Sequence, residues 1–277
     1  MNVWKAILLG LIQGLTEFLP VSSSGHLALA SSLFGLEESP LFLDALLHLG
    51  TLIAVFIAFR KLILSLIRAL FGMIGKIFRG RFRWKTAEKE EKMLVFLILS
   101  CLPLFLILPL KDSIEKLSSY IWVIGIALIV NGIVLFLSDS VKSGKKDAGT
   151  MTWKDALVVG VVQTIAVTPG ISRSGSTITA GLFCGFDRKF AAQYSFILSI
   201  PTILAGAAVS FYDALKGRQI VASALPAYLT GMVVSAVVGF FAIRLLEYLM
   251  KSRKFFVFAV YTISVGLAAV IFGLIRG

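Results

Sequence analysis

The chain has 277 residues, of which 58% are hydrophobic before glycine is counted and 15% are charged, with 27 Lys+Arg against 15 Asp+Glu and a formal net charge of +12. Soluble domains carry about 45–50% apolar residues with glycine included and about 25% charged ones. This composition, with a mean hydropathy of +0.93, therefore excludes a soluble globular domain, a disordered chain and a disulfide scaffold, and describes an all-α polytopic membrane protein.

The elements follow in chain order. Residues 3–34 open with an apolar half-helix that reaches Gln13 and Glu17, break at Pro20 into Val21-Ser22-Ser23-Ser24-Gly25-His26, and resume with Leu27-Ala28-Leu29-Ala30. Gln13 and Glu17 interrupt the first apolar run, so it is expected to belong to this hairpin and not to a signal peptide. A spanning run covers 41–59. The loop 60–92 holds the densest cluster of Lys and Arg; within it 62–78 is apolar but carries Arg68 and Lys76, the pattern of a helix lying on the inner membrane surface. Further spans are expected at 93–110, 120–137, 190–211, 225–246 and 255–275. Between them, 156–186 breaks at Pro169-Gly170-Ile171-Ser172-Arg173-Ser174-Gly175-Ser176-Thr177. Irregular backbone at membrane depth is tolerated where it is buried in protein or lines a wet cavity, so both broken regions read as re-entrant hairpins with polar tips. Cys101 and Cys184 each lie in an apolar stretch, with no disulfide or Cys-based metal site expected.

The two broken regions are copies. At an offset of 150, Ala6, Gly10 and Gln13 fall on Ala156, Gly160 and Gln163, and Ser22, Ser24 and Gly25 fall on Ser172, Ser174 and Gly175. The single membrane domain 1–277 is thus expected to be a duplication, with repeat one at 1–140 (hairpin 3–34) and repeat two at 151–277 (hairpin 156–186), each a re-entrant hairpin plus three transmembrane helices. An odd number of crossings inverts the second copy. Lys/Arg asymmetry puts the loops 60–92, 141–154, 187–189 and 251–254 inside, and both termini with 111–119 and 213–223 outside. The tips then meet near the midplane. The positive charge lies between apolar runs, where it orients the protein and meets anionic lipid, so the lipid bilayer and not nucleic acid is the expected partner.

The chemistry-bearing residues lie at the tips. A carboxylate at membrane depth costs at least about 2.5–3.5 kcal/mol and marks a functional site. Glu17 is such a group, with Gln13 four residues earlier on the same helix face, able to share one ligand; a purely structural capping role for the pair is the alternative. Ser22, Ser23 and Ser24 offer hydroxyls, and His26, one of two histidines, offers an imidazole for nucleophilic or proton-transfer work. Asp44 and His48, four apart, form a supporting pair. Arg173, with Ser172, Ser174, Ser176 and Thr177 around it at a break that frees backbone amides, suits a phosphate group; an Arg173–Glu17 ion pair would be the substrate-free form of the same site.

The motifs Gln13-Gly-Leu-Thr-Glu17-Phe-Leu-Pro-Val-Ser-Ser-Ser-Gly-His26 and Pro169-Gly-Ile-Ser-Arg-Ser-Gly-Ser-Thr177 resemble those of the undecaprenyl-diphosphate phosphatases, also called bacitracin-resistance proteins, whose signatures are (E/Q)-x-x-x-E and P-G-x-S-R-S-x-x-T. The resemblance covers the whole chain in length and hydropathy. It implies an enzyme of the bacterial plasma membrane, its site open to the outer face, that hydrolyses undecaprenyl diphosphate to the monophosphate carrier of peptidoglycan synthesis and confers bacitracin resistance. It also implies a divalent cation, Mg²⁺ or Ca²⁺, held by Glu17 and Gln13; Gln13 is the neutral option of its motif and leaves one carboxylate fewer. His26, Glu17, Ser23 and Arg173 take the catalytic roles, and Ser22, Ser24, Gly170, Ser172, Arg173, Ser174 and Thr177 the phosphate-binding ones. His26 is expected as nucleophile or base, with Ser23 the rival nucleophile and direct attack by water a third route. The isoprenoid tail stays in lipid. Homo-oligomerisation is left open, and a transporter or flippase for a phosphorylated lipid is the competing function, because inverted repeats with broken helices also build transporters.

Overall fold

The computed structural model describes residues 2–33, 41–117, 119–217, 222–251 and 255–276, and every regular element longer than a single bridge among them is helical. Phe34, at the end of the first hairpin, and Ser252, Arg253 and Lys254, in the last basic loop, lie outside the described residues.

Helix α1 (Val3–Phe18) starts at Asn2, whose side chain accepts from the Trp4 amide, and ends with Leu19 extended at φ −66°, ψ 143°. That is the backbone a residue before proline prefers, and Pro20 follows. Helix α2 (Ser23–Leu33) begins three residues after Pro20. The second broken region has the same form: α8 (Trp153–Ile165), capped by a Thr152/Asp155 capping box, stops short of Pro169, and α9 (Arg173–Phe183) starts on an N-cap Ser172 that accepts from the Gly175 amide. Both breaks are therefore shorter than the sequence suggested. Ser and Asn oxygens compete well for the free amides of a first turn, and Ser22 and Ser172 each take one, so Ser23–His26 and Arg173–Thr177 are already helical.

Among the described residues, five helices are long and apolar enough to cross a membrane: Leu41–Ala58 (α3), Ile121–Asp139 (α7), Arg188–Lys216 (α10), Leu225–Lys251 (α11) and, within α12 (Phe255–Arg276), Phe255–Ile275. The sixth expected span, 93–110, is divided. Helix α5 (Lys89–Cys101) gives way to a 3₁₀ run over Leu102–Leu110, because Pro103 and Pro109 lack the amide that an α-helical turn needs there. Helix α4 (Arg60–Phe78) follows α3 after Phe59; it buries Ile63, Leu66 and Met73 and exposes Leu64, Ile67, Phe71, Ile74 and Phe78. A short α6 (Lys111–Leu117) precedes α7.

The packing pairs α1 with α11 and α8 with α5, sets α3 against α10 and α11, and α7 against α12. At Gly10 the α1 backbone lies so close to the Gly231 carbonyl that a side chain would strike it, which is how α1 can sit against α11 over its full length. The larger core centres on Phe18, Phe59, Phe186, Tyr194 and Phe196, with Phe18 and Phe196 edge to face at 5.5 Å; a smaller one gathers Leu9, Leu43, Leu47 and Tyr228.

Candidate active site

One residue ties the breaks together. Asn131, buried in the middle of apolar α7, donates to the Pro20 carbonyl at 3.0 Å and accepts from the Ser172 amide at 3.1 Å. Buried backbone groups left without partners are costly, so this one amide satisfies a group from each tip and fixes their spacing. Sequence reading passed over it, although a carboxamide in the middle of a spanning run is itself a signal. Within each tip the same bonds recur: Ser22 and Ser24 hydroxyls are 3.3 Å apart and Ser172 and Ser174 hydroxyls 3.2 Å apart. The left-handed residue differs, being Ser22 itself (φ 72°) in the first tip and Gly170 (φ 94°) in the second.

The tips enclose a cavity of about 400 Å³ whose wall includes Glu17, Ser23, Ser24, His48, Ser172 and Arg173. Glu17 is buried, and three side chains converge on it. Arg173 Nη2 reaches Oε1 at 2.6 Å, while Ser23 Oγ and Gln13 Nε2 donate to Oε2 at 2.7 and 3.0 Å. Arg173 Nη1 donates to Thr202 Oγ1 at 2.6 Å. Thr202 follows Pro201, which interrupts the hydrogen-bond ladder of α10, and it was not anticipated from sequence. The guanidinium is thus held by a carboxylate and a hydroxyl at the wall of the cavity. His48 also lines the cavity, with Nε2 3.8 Å from Glu17 Oε2 and Nδ1 2.9 Å from the Asp44 backbone carbonyl.

The structure does not bring all the expected residues to the cavity. His26 is absent from its wall: Nδ1 donates back to the Ser22 carbonyl at 2.8 Å and Nε2 pairs with the Tyr261 hydroxyl at 2.9 Å, bonds that turn the ring to the α12 side. The partner of Ser23 is consequently Glu17, not His26. Thr177 turns inward to the Arg173 carbonyl and the Ser195 hydroxyl, and Ser174 contacts Ser172 and the Leu19 carbonyl. Ser22 caps the Gly25 amide, and Gly170 carries the turn that passes close against α7, its amide 3.5 Å from Ser24 Oγ. Of the expected phosphate-binding set, Ser24, Ser172 and Arg173 line the cavity, and Ser22, Gly170, Ser174 and Thr177 build the tips behind it.

Residues 6–268 match the family model described as bacitracin resistance protein BacA. The chain belongs to that family. It is 40% identical over 277 residues to an undecaprenyl-diphosphatase of Alkaliphilus metalliredigens, covering 99% of this chain and 100% of the relative. It is also 38% identical over 279 residues to one of Methanosphaera stadtmanae, covering 99% of both, and 39% identical over 272 residues to one of Halothermothrix orenii, covering 98% of both. The family match spans both tips, four of the long helices and the first part of α12, so Glu17 and Arg173 lie inside it.

Proposed function

We propose that this protein is an undecaprenyl-diphosphatase, a membrane hydrolase that cleaves the phosphoanhydride of undecaprenyl diphosphate to give undecaprenyl phosphate and inorganic phosphate. The observation that carries the reading is the Ser23–Glu17–Arg173 constellation inside a family of that activity: a hydroxyl donating to a carboxylate that a guanidinium holds in place. Nucleophile, proton acceptor and orienting group within hydrogen-bond reach are what covalent catalysis requires. Substrate phosphate displaces Glu17 from Arg173, whose fork then pairs with phosphate oxygens as charge moves to the leaving group. Ser23 Oγ attacks the terminal phosphorus, its proton passes to Glu17, and the bond from phosphorus to the bridging oxygen breaks. Water then releases the phosphate from Ser23. Ser24 and Ser172 donate to the phosphate oxygens. His26 supports this chemistry from behind the tip by holding the Ser22 carbonyl, and so keeps Ser23 in register.

Glu17 and Gln13 fit a divalent cation. A cavity-facing carboxylate lies beside the buried Gln13 Oε1, which has no hydrogen-bond partner among the described residues, and Mg²⁺ and Ca²⁺ favour hard oxygens. A bound ion would neutralise phosphate charge there.

The repeats are read as inverted, with both hairpins re-entrant. The pairing of α1 with α11 and of α8 with α5, and of α7 with α12 across the centre, supports a two-fold relation between the halves. Lys/Arg-rich loops inside and a site open to the outer face follow from charge asymmetry, and α4 then lies on the inner surface. The transporter alternative is disfavoured because the family's named relatives are phosphatases.

The test is phosphate release from undecaprenyl diphosphate by the purified chain in detergent, where no second compartment exists. Release that stops in EDTA and returns with Mg²⁺ or Ca²⁺ is expected; absence of release under all metals would refute the reading.

A further inference from the structure

The cavity wall is of two kinds. Glu17, Ser23, Ser24, Ser172 and Arg173 supply charge and hydroxyls, whereas Leu104, Val167 and Ile203 are apolar. Helix α10 runs past both. Its first half packs beside the second tip, where Ser195 meets Thr177, and Thr202 then holds Arg173 at 2.6 Å. Beyond that point α10 lends Ala205, Gly206, Ala207 and Ser210 to the wall. At about 3.6 residues per turn, Gly206 falls at the middle of the face these residues share with Thr202 and Ile203, about 6 Å further along the axis than Thr202.

Gly206 is set apart from the other glycines of the five long helices. Every other one among the described residues would place a Cβ within 3.1 Å of a neighbouring helix, so glycine there lets two backbones approach. A Cβ at Gly206 would meet no atom within 4 Å. Glycine in a helix interior lowers stability, and no close packing offsets that loss here. The open space faces the cavity, one helical turn from the hydroxyl that anchors the guanidinium.

We infer that this space receives the isoprene unit next to the diphosphate, and that Gly206 sets how bulky the group there can be. This rests on the reading of the cavity as a polyprenyl-diphosphate site. With the phosphates at Arg173, Ser23 and Ser172, the chain leaves across Gly206 against the apolar wall, and the remaining units stay in lipid. Specificity is then read at the first isoprene unit rather than along the tail.

The test measures binding and does not depend on turnover. The purified full chain, in detergent with Mg²⁺, is titrated with two diphosphates that cannot be hydrolysed, methylenediphosphonate and its farnesyl ester. In Gly206→Leu the farnesyl ester should bind at least about tenfold more weakly, because two hydrocarbon groups compete for one space. Methylenediphosphonate should change less than about twofold. The unfolding midpoint should hold or rise, leucine being the better helix former. A farnesyl probe carrying a diazirine on its first isoprene unit needs no variant: irradiation should label residues 202–210 of the wild type, and excess methylenediphosphonate should suppress the label. Equal affinity of wild type and Gly206→Leu for the farnesyl ester, an equal loss for both probes, or no suppressible label within 202–210 would each overturn the inference. Phosphate release from undecaprenyl diphosphate, measured alongside, separates it from its premise. No release with discrimination at Gly206 intact removes the hydrolase reading and keeps the pocket. Release without discrimination keeps the hydrolase and removes Gly206.

Discussion

The two polar tips share a frame and differ in charge. Ser22 and Ser172 cap equivalent glycine amides, Gly25 and Gly175, and each pairs with the serine two residues on. On that common frame the 150-residue offset sets Ser23 opposite Arg173 and Glu17 opposite Val167. One copy supplies the hydroxyl and the carboxylate, and the other supplies the guanidinium. On the proposed duplication, the same geometry occurs twice, and a few substitutions convert a symmetric pair into an asymmetric proposed site in which neither tip is complete alone.

The comparison breaks most completely at the positions where the copies differ. Ser23→Ala should lower kcat at least about a thousand-fold, since it removes the proposed nucleophile, while terminal-phosphate label trapped by rapid quenching should sit on Ser23 in the wild type. Label on His26 instead would return the chemistry to the imidazole. Next, Arg173→Lys should cost about a hundred- to a thousand-fold in kcat/KM despite keeping the charge, because an ammonium cannot present a planar fork to phosphate while staying anchored on Thr202. Near-normal turnover would show that the second tip contributes only a point charge.

The tie between the copies can be cut directly. Asn131→Leu leaves the Pro20 carbonyl and the Ser172 amide without their shared partner, at about 1–3 kcal/mol, visible as a lower unfolding midpoint in detergent. An unchanged midpoint would mean that the tips hold their spacing without α7. Finally, His26→Ala should reduce kcat about ten- to a hundred-fold by loosening the left-handed Ser22. His26→Asn, which can restore the bond to the Ser22 carbonyl, should recover much of it. Equal losses in the two variants would instead mark the imidazole as a chemical participant.

Much of this was legible in the residues. The breaks announce themselves because proline, serine and glycine interrupt apolar runs, and the Glu17–Arg173 pair because charge at membrane depth demands a partner. What stayed hidden depended on three-dimensional packing. Ser22 and Ser172 could have lain inside a long irregular loop; as caps they shorten it. Pro103 and Pro109 divide a run whose hydropathy is that of one helix. Sequence spacing assigns His26 to the tip and His48 to a supporting pair with Asp44, whereas position on the wall depends on which carbonyl each Nδ1 finds: Ser22's turns one ring away, and Asp44's leaves the other on the cavity wall.

The size of the cavity has a kinetic consequence. About 400 Å³ accommodates a diphosphate head group but not an undecaprenyl tail, so the tail stays among the surrounding lipid or detergent throughout turnover. The enzyme therefore samples its substrate in two dimensions. Its saturation depends on the mole fraction of substrate in the micelle or bilayer rather than on bulk molarity, and adding detergent at fixed substrate slows it by surface dilution alone.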